Sequence, residues 1–176
     1  MNRFLRKPFS TTASSFMKIH PNAYDIYKKS CYNKVDFIIN ENKLVHEAVV
    51  RFSMFNISSL AVVDDANQLS GVLSKRDYIN KIAVYNKSHE NMKIKEISTH
   101  GNNIIFAKKT DNLDSCMHKM LFKNIHHLLI MDDQDKSFIG MISMKDIIQE
   151  LMKDKDETIT RLTDFNLGKG AFFGSE

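Results

Sequence analysis

The stretch that decides the fold reads Gly71-Val72-Leu73-Ser74-Lys75-Arg76-Asp77, and it returns 69 residues later as Gly140-Met141-Ile142-Ser143-Met144-Lys145-Asp146. Each copy consists of a glycine, two apolar residues, a serine, two variable residues and an aspartate. Ile79 and Ile148 continue the match. Because an internal repeat of this period indicates a duplicated unit, we expect two copies of one fold in the chain.

The first unit is predicted to span residues 35–85. Its hydrophobic periodicity predicts the order strand, helix, strand, strand, helix. Asn42 is expected to cap the first of the two helices through its side-chain oxygen. The predicted elements are, in order, a strand at 36–39, a helix with an apolar stripe at 45–55, strands at 59–63 and 69–73, and a helix from Ser74 or Lys75 to about Tyr85.

The second unit, residues 94–152, repeats that order after a polar linker at 86–93. Its apolar helical stripe superposes on the stripe of the first unit with a constant offset of 68 residues. Cys116 falls on Ala48 in this alignment, so we expect a core thiol rather than a redox centre. The predicted elements are a strand at 103–107, a helix capped by Asp111 or Asn112, a strand at 129–131, the strand of the second heptad and a last helix from Lys145.

This tandem resembles the cystathionine-β-synthase (CBS) domain pair over about residues 35–152, and it is most similar to small plant-type mitochondrial proteins with one CBS pair. The resemblance implies an α/β (α+β) fold in which tandem CBS repeats, β-α-β-β-α twice, pack about a pseudo-twofold axis and form two clefts. In the family the clefts bind adenosine nucleotides (AMP, ADP or ATP) or S-adenosylmethionine. Single pairs usually dimerise, and the sequence leaves parallel and antiparallel pairing open.

Ser74 with Asp77, and Ser143 with Asp146, are the main candidate ligand-binding residues. Each serine falls at a strand-to-helix junction, where unpaired N–H groups favour an anion. Each aspartate lies three residues further on, and its acceptor-only carboxylate suits the two hydroxyls of a ribose. The resemblance assigns the same roles. Plain helix capping is the alternative, since a serine followed three residues later by an acid is similar to a capping box.

Further residues are expected around the clefts. Arg76, Lys145 and His126 are candidates for phosphate contacts. The glycines that open the two heptads are expected to permit a close backbone approach at the strand. The residues expected to line the clefts and contact the base are Ile39, Asn40, Ala107, Lys108, Ser58 and His126. A metal site at His126 and His127 is not favoured, because adjacent strand residues point to opposite faces.

The N-terminal residues 1–16 are rich in Arg and Ser and contain no acidic residue, a composition typical of a mitochondrial transit peptide, with a disordered basic tail as the alternative. Residues 17–34 form a lead-in with a helix predicted from Pro21 and Asn22 to about Lys29. Residues 153–176 are expected to hold a C-terminal helix and a flexible tail.

Much of the net charge of +4 comes from the N-terminus, so nucleic-acid binding is not expected. No apolar run is long enough to span a bilayer.

The function predicted from these patterns is regulatory and non-catalytic. The sequence lacks a nucleophile and base arrangement, a phosphate-binding P-loop motif and metal-ligand spacing. The leading hypothesis is a homodimeric module of the mitochondrial matrix whose adenosine ligand modulates a partner. In the plant-type relatives the implied partner is a protein of the thioredoxin system. The alternative is a constitutive structural accessory subunit of a large mitochondrial assembly such as a respiratory complex.

Overall fold

The computed structural model describes residues 21–86 and 90–167. The predicted transit segment, the start of the lead-in, the middle of the linker and the tail beyond Leu167 lie outside the described residues. The predictions for these segments therefore stay predictions.

Two small sheets, one for each predicted unit, form the framework of the protein. The helices are α1 (Ala23–Lys29), α2 (Val45–Met54), α3 (Lys75–Tyr78), α4 (Leu113–Phe122) and α5 (Met144–Asn166). The strands are β1 (Ile38–Asn40), β2 (Ser59–Val63), β3 (Leu69–Ser74), β4 (Thr99–His100), β5 (Phe106–Lys108), β6 (His127–Met131) and β7 (Phe138–Ser143). The fold class and the order of elements predicted from the duplication are confirmed.

The two sheets share a three-stranded topology, to which β4 adds a fourth strand antiparallel to β3 in the first sheet. In the first, β2 lies between the parallel β1 and the antiparallel β3, and in the second, β6 lies between the parallel β5 and the antiparallel β7. Ser74 at the end of β3 pairs with Ser59, and Ser143 at the end of β7 pairs with His127. Each serine of the repeated heptad therefore lies beside the amino end of the middle strand of its sheet.

The duplication extends to backbone conformation. Asn56 and Asn124, which follow α2 and α4 at an offset of 68 residues, both have a φ of 50°. Asparagine tolerates this left-handed conformation better than most residues. Both residues lie where the chain passes from a helix into a buried strand, so the two repeats make this turn with the same residue type and the same backbone conformation.

Close approach explains both glycines of the heptads. A Cβ on Gly71 would lie 2.8 Å from the carbonyl oxygen of Thr99, on the neighbouring strand β4. A Cβ on Gly140 would lie 2.5 Å from the ring of Tyr27, which belongs to α1. β4 thus packs against β3 at Gly71, and α1 packs against β7 at Gly140, and only glycine leaves room for these contacts.

Several boundaries differ from the sequence prediction. The second helix of the first unit is α-helical only to Tyr78 and continues as a π-helix over Ile79–Ala83, and β6 begins at His127 rather than at Leu129. Asn42 does not cap α2, because its amide donates to the carboxylate of Asp65 at 3.0 and 3.1 Å, and Leu44 precedes the helix without a side-chain cap. The first strands are shorter and begin later, at Ile38 and Phe106, since residues 101–103 form a 3₁₀ turn. The last helix continues unbroken through the charged stretch to Asn166.

The core consists of two apolar clusters, the first mainly in the first repeat and the second mainly in the second repeat. Leu129 and Met141 of the second repeat belong to the first cluster, and Ala23 and Ile26 of α1 belong to the second. Cys116 is fully buried in the second cluster, and burial raises the pKa of its thiol to about 11. The predicted core thiol is confirmed.

Asn112 caps α4, because its side-chain oxygen accepts from the N–H of Ser115 at 2.8 Å. It is one of the two residues that the sequence offered for this cap.

Candidate functional site

The two units meet where β2 and β6 begin. The imidazole of His127 forms hydrogen bonds with Ser59 Oγ at 2.9 Å and with Ser58 Oγ at 3.3 Å. Ser59 and His127 are equivalent positions in the two repeats, so this contact joins the units at their pseudo-twofold axis. The two clefts lie on either side of it.

The first cleft is an open cavity of about 240 Å³, near the lower end of pockets that bind small molecules, about 300 Å³ upward. Both units contribute to its walls. Its polar and charged lining residues are Ser58, Ser59, Ser74, Lys75, Arg76, Asp77, Thr99, Asn103, His126 and His127, and its apolar lining residues are Val72, Ile104, Ile105, Ile125, Leu129 and Met141.

Asp77 serves as a helix cap with one oxygen only. Its Oδ2 accepts from Ser74 N at 2.9 Å and from Ser74 Oγ at 2.6 Å, while Asp77 N donates back to Ser74 Oγ at 3.2 Å. Its Oδ1 is 3.2 Å from Lys81 Nζ and only weakly contacted by Thr99 Oγ1, at 3.5 Å. The capping interpretation is therefore right, and it leaves the second oxygen with capacity to accept from a ligand.

Cationic side chains stand at the rim of this cavity. Arg76 donates through Nη1 to the carbonyl oxygen of Asn124 at 2.9 Å, which ties it to the other unit and leaves its further N–H donors available. Lys75, next to it, is exposed, and His126 lines the same wall. Sequence reasoning identified Arg76 and His126 but missed Lys75, although it is the first helical residue after Ser74.

The second cleft has the same cap but a different environment. Asp146 Oδ2 accepts from Ser143 N at 2.7 Å and from Ser143 Oγ at 2.6 Å. It also accepts from Ser30 Oγ at 2.9 Å, a residue of the lead-in. Asp146 is 8% exposed, and Lys145 beside it is exposed. The lead-in covers this cleft.

Four of the predicted lining residues do not border the open cavity. Asn40 pairs with Val63 and Lys108 with Met131, at the far ends of β2 and β6. Both pairs lie four residues, about 13 Å, from the strand ends that border the cavity. Ile39 and Ala107 are buried in the two cores. The correction is that the cavity lies at the amino ends of the parallel strands. The residues that precede β5, Asn103 to Ile105, line it instead.

Burial controls the protonation of the groups at the axis. It lowers the pKa of His127 to about 4, with the neighbouring His126 adding to the shift and Asp146 opposing it. Burial also raises the pKa of Tyr32 to about 12, against backbone hydrogen bonds from Ser58 and Ser59. Both groups are therefore neutral at pH 7, which suits a contact packed between two units.

The shifted pKa of His127 predicts a loss of stability in mild acid. The unfolded imidazole takes up a proton near pH 6.5, whereas the folded one stays neutral down to about pH 4, so the unfolded state binds more protons between these values. The free energy of unfolding should thus fall by about 2 kcal/mol between pH 7.5 and pH 5 from this residue alone. Urea denaturation of wild type and His127→Gln at both pH values measures it. An equal pH dependence in the two proteins would contradict the assignment.

Comparison with known sequences divides the chain into the same two units. The sequence pattern of the CBS domain matches residues 30–84 and 94–153. The chain belongs to the CBS domain family. It carries the domain twice, as a CBS pair, and proteins built from this pair are typically regulatory and non-catalytic.

Known relatives agree with that membership. The chain is 29% identical over 126 residues to the mitochondrial CBS domain-containing protein CBSX3 of Arabidopsis thaliana, a match that covers 70% of this chain and 60% of the relative. It superposes with a TM-score of 0.68 on a CBS-domain signal-transduction protein from Burkholderia ambifaria, at 24% identity, over 76% of this chain and 96% of the other.

Similar proteins of known structure include complexes with adenosine compounds, and a CBS pair is one of them. It is the pair of protein MJ0100, in complex with 5′-methylthioadenosine and S-adenosyl-L-methionine. The TM-score is 0.62 at 27% identity, over 77% of this chain and 98% of that one.

Within residues 21–86 and 90–167, no helix is long and apolar enough to cross a membrane, and no group of metal-binding side chains is found.

Proposed function

We propose that the protein is a regulatory module that binds an adenosine nucleotide or S-adenosylmethionine in the first cleft and transmits its occupancy to a partner protein. The observation that carries this proposal is Asp77 Oδ1, which the helix cap does not use and which faces Lys81 Nζ at 3.2 Å, beside a cavity with a cationic rim. The MJ0100 pair, which holds two adenosyl compounds, supports the ligand class.

The chemistry of the cavity suggests how such a ligand lies in it. The ribose hydroxyls donate to Asp77 Oδ1, and the base packs against the apolar wall of Ile104, Ile105 and Met141. Ser74 Oγ already donates its proton to Asp77, so the proposal does not use this hydroxyl as a phosphate donor. Arg76 and Lys75, with their uncommitted donors, are the phosphate contacts in this proposal, together with His126.

Regulation requires that the ligand bind two arrangements of the units with different affinity. The cavity is lined by both units, so a bound ligand contacts both at once. Arg76 reaches from the first unit to the carbonyl oxygen of Asn124 in the second. A phosphate that competes for Arg76 would loosen this link, and a partner would respond to the resulting change in orientation.

The place of action in the proposal is the mitochondrial matrix. The Arabidopsis relative, which is named as mitochondrial, supports it together with the composition of residues 1–16. The partner is a mitochondrial protein, with a member of the thioredoxin system as the specific expectation.

Homodimers are proposed to form through the exposed apolar residues of α2 and α4. Among them are Met54, Leu121 and Phe122, which are 70%, 61% and 85% exposed.

A structural accessory role in a large complex is the second candidate. It is favoured by the distal half of α5, where Ile159, Leu162 and Phe165 are 61%, 59% and 79% exposed. Native electrophoresis of mitochondrial extracts separates the two: migration with a respiratory complex supports the structural role, and migration at the size of a dimer supports the module.

Titration calorimetry of the purified chain with AMP, ADP, ATP and S-adenosylmethionine tests the proposal directly. We expect saturable binding of at least one of the four, and tighter binding of ligands with a phosphate if Arg76 and Lys75 act as proposed. If none of the four binds, the module proposal is wrong and the structural role is the better account.

A further inference from the structure

We infer that the second cleft is permanently filled by this chain's own residues 30–32, which take the place that a nucleoside would occupy beside Asp146. The inference about ligand stoichiometry rests on the proposed function, whereas the intramolecular docking does not. Three sets of contacts carry it: one at the position of the ribose, one at the position of the base, and one that anchors the segment.

At the ribose position, Ser30 supplies the hydroxyl. Ser30 Oγ donates to Asp146 Oδ2 at 2.9 Å, and the two residues are 1% and 8% exposed. In the open cleft the equivalent carboxylate, Asp77, has only Thr99 Oγ1 at 3.5 Å among hydroxyls from outside its own cap. A hydroxyl of the same chain thus already contacts this buried carboxylate, at its capping oxygen Oδ2 rather than at Oδ1, the oxygen that the proposal assigns to the ribose in Asp77.

At the base position, the ring of Tyr32 lies between aromatic partners. Its centroid is 5.6 Å from that of Phe37 and 5.5 Å from that of His127, both edge to face. Its hydroxyl faces backbone groups of Ser58 and Ser59. At the repeat offset of 68, the three first-unit residues Phe37, Ser58 and Ser59 correspond to Ile105, His126 and His127, which line the open cavity. The same walls therefore enclose a tyrosine in one cleft and open space in the other.

The lead-in is fixed along its length. Ala23 N donates to the carbonyl oxygen of Asp111 at 2.8 Å, and the ring of Tyr27 fills the space left by Gly140. Lys29 forms an ion pair with Glu150 at 2.8 Å, although half-exposed pairs of this kind contribute little. Since the segment is covalently linked, its effective concentration at the cleft is high, and a free nucleotide must displace it.

Stoichiometry gives the first test. Wild type is expected to bind one AMP per chain. The double variant Ser30→Ala/Tyr32→Ala removes both mimicking groups and should bind two. Tyr32→Phe keeps the ring and should still bind one, and Tyr85→Ala, an exposed tyrosine outside both clefts, is the matched control. Two AMP per wild-type chain, or a folded double variant that binds only one, would overturn the inference.

Hydrogen exchange of residues 26–34 gives a second test that needs no nucleotide. Without the acceptor for Ser30, Asp146→Ala should accelerate exchange of this segment about tenfold, the effect of one lost hydrogen bond. Asp77→Ala, which removes the equivalent cap of the open cleft, should leave it unchanged. Unaltered exchange in Asp146→Ala overturns the docking. Accelerated exchange in a protein that binds no AMP upholds the docking and rejects only the proposed function.

Discussion

Asp77→Asn is expected to weaken AMP binding about 30- to 700-fold. The asparagine oxygen can still accept from Ser74 and keep the helix cap, but the uncharged amide cannot accept both ribose hydroxyls. Hydrogen bonds to a charged group contribute about 1.5–3 kcal/mol each, so the loss is about 2–4 kcal/mol of binding free energy. Titration calorimetry of the variant beside wild type measures it.

The control for this substitution is Asp114→Asn. Asp114 is exposed in the first turn of α4, away from the residues that line the cavity, and its replacement changes the net charge of the protein by the same amount. Its AMP affinity should equal that of wild type. If Asp77→Asn binds AMP within about threefold of wild type, the carboxylate does not hold the ribose, and the proposed orientation of the ligand is wrong.

The order of elements was predictable because it depends on local and repeated information. Buried strands such as β2 are short apolar runs between turn residues, and the stripes of α2 and α4 repeat at one offset. The serine and aspartate of each heptad were recognisable as a pair because a capping box is a local motif. The edge of the sheet at which the cleft lies was predicted only in part. A hairpin that puts Ser74 opposite Ser59 places the cavity at the amino end of β2, whereas Asn40 and Lys108, also predicted to line the clefts, lie at the far ends of β2 and β6.

The different environments of the two clefts were not predictable from the repeat, because the repeat places the same serine and aspartate in both. The difference comes from the lead-in, whose residues lie before the repeat predicted from residues 35–152. Ser30 and Asp146 are 116 residues apart, and no periodicity relates them. The contact between Tyr27 and Gly140 is likewise visible only after folding, although the glycine itself indicated a close approach. Non-local packing thus distinguishes two sites that the sequence presents as copies.

Asp146→Ala is expected to lower the free energy of unfolding by about 3–5 kcal/mol. The substitution removes the acceptor for three donors at once, namely Ser143 N, Ser143 Oγ and Ser30 Oγ. All three lie in a buried environment, where each unpaired polar group costs about 1–3 kcal/mol. Part of this cost is recovered if water enters. Urea denaturation at pH 7 measures the change.

The duplicated heptad supplies the matched comparison. Asp77→Ala removes the same cap from a side chain that is 18% exposed, so water can replace the lost acceptor, and the expected cost is about 1–2 kcal/mol. The difference between the two variants reports the buried environment and the Ser30 contact. Adding Ser30→Ala to Asp146→Ala should recover about 1 kcal/mol or more, because it removes a buried hydroxyl left without its acceptor. Asp77→Ala also removes the ion pair with Lys81, which is partly exposed and contributes little. Equal costs for the two aspartates would therefore show that the lead-in contributes nothing to the second cap.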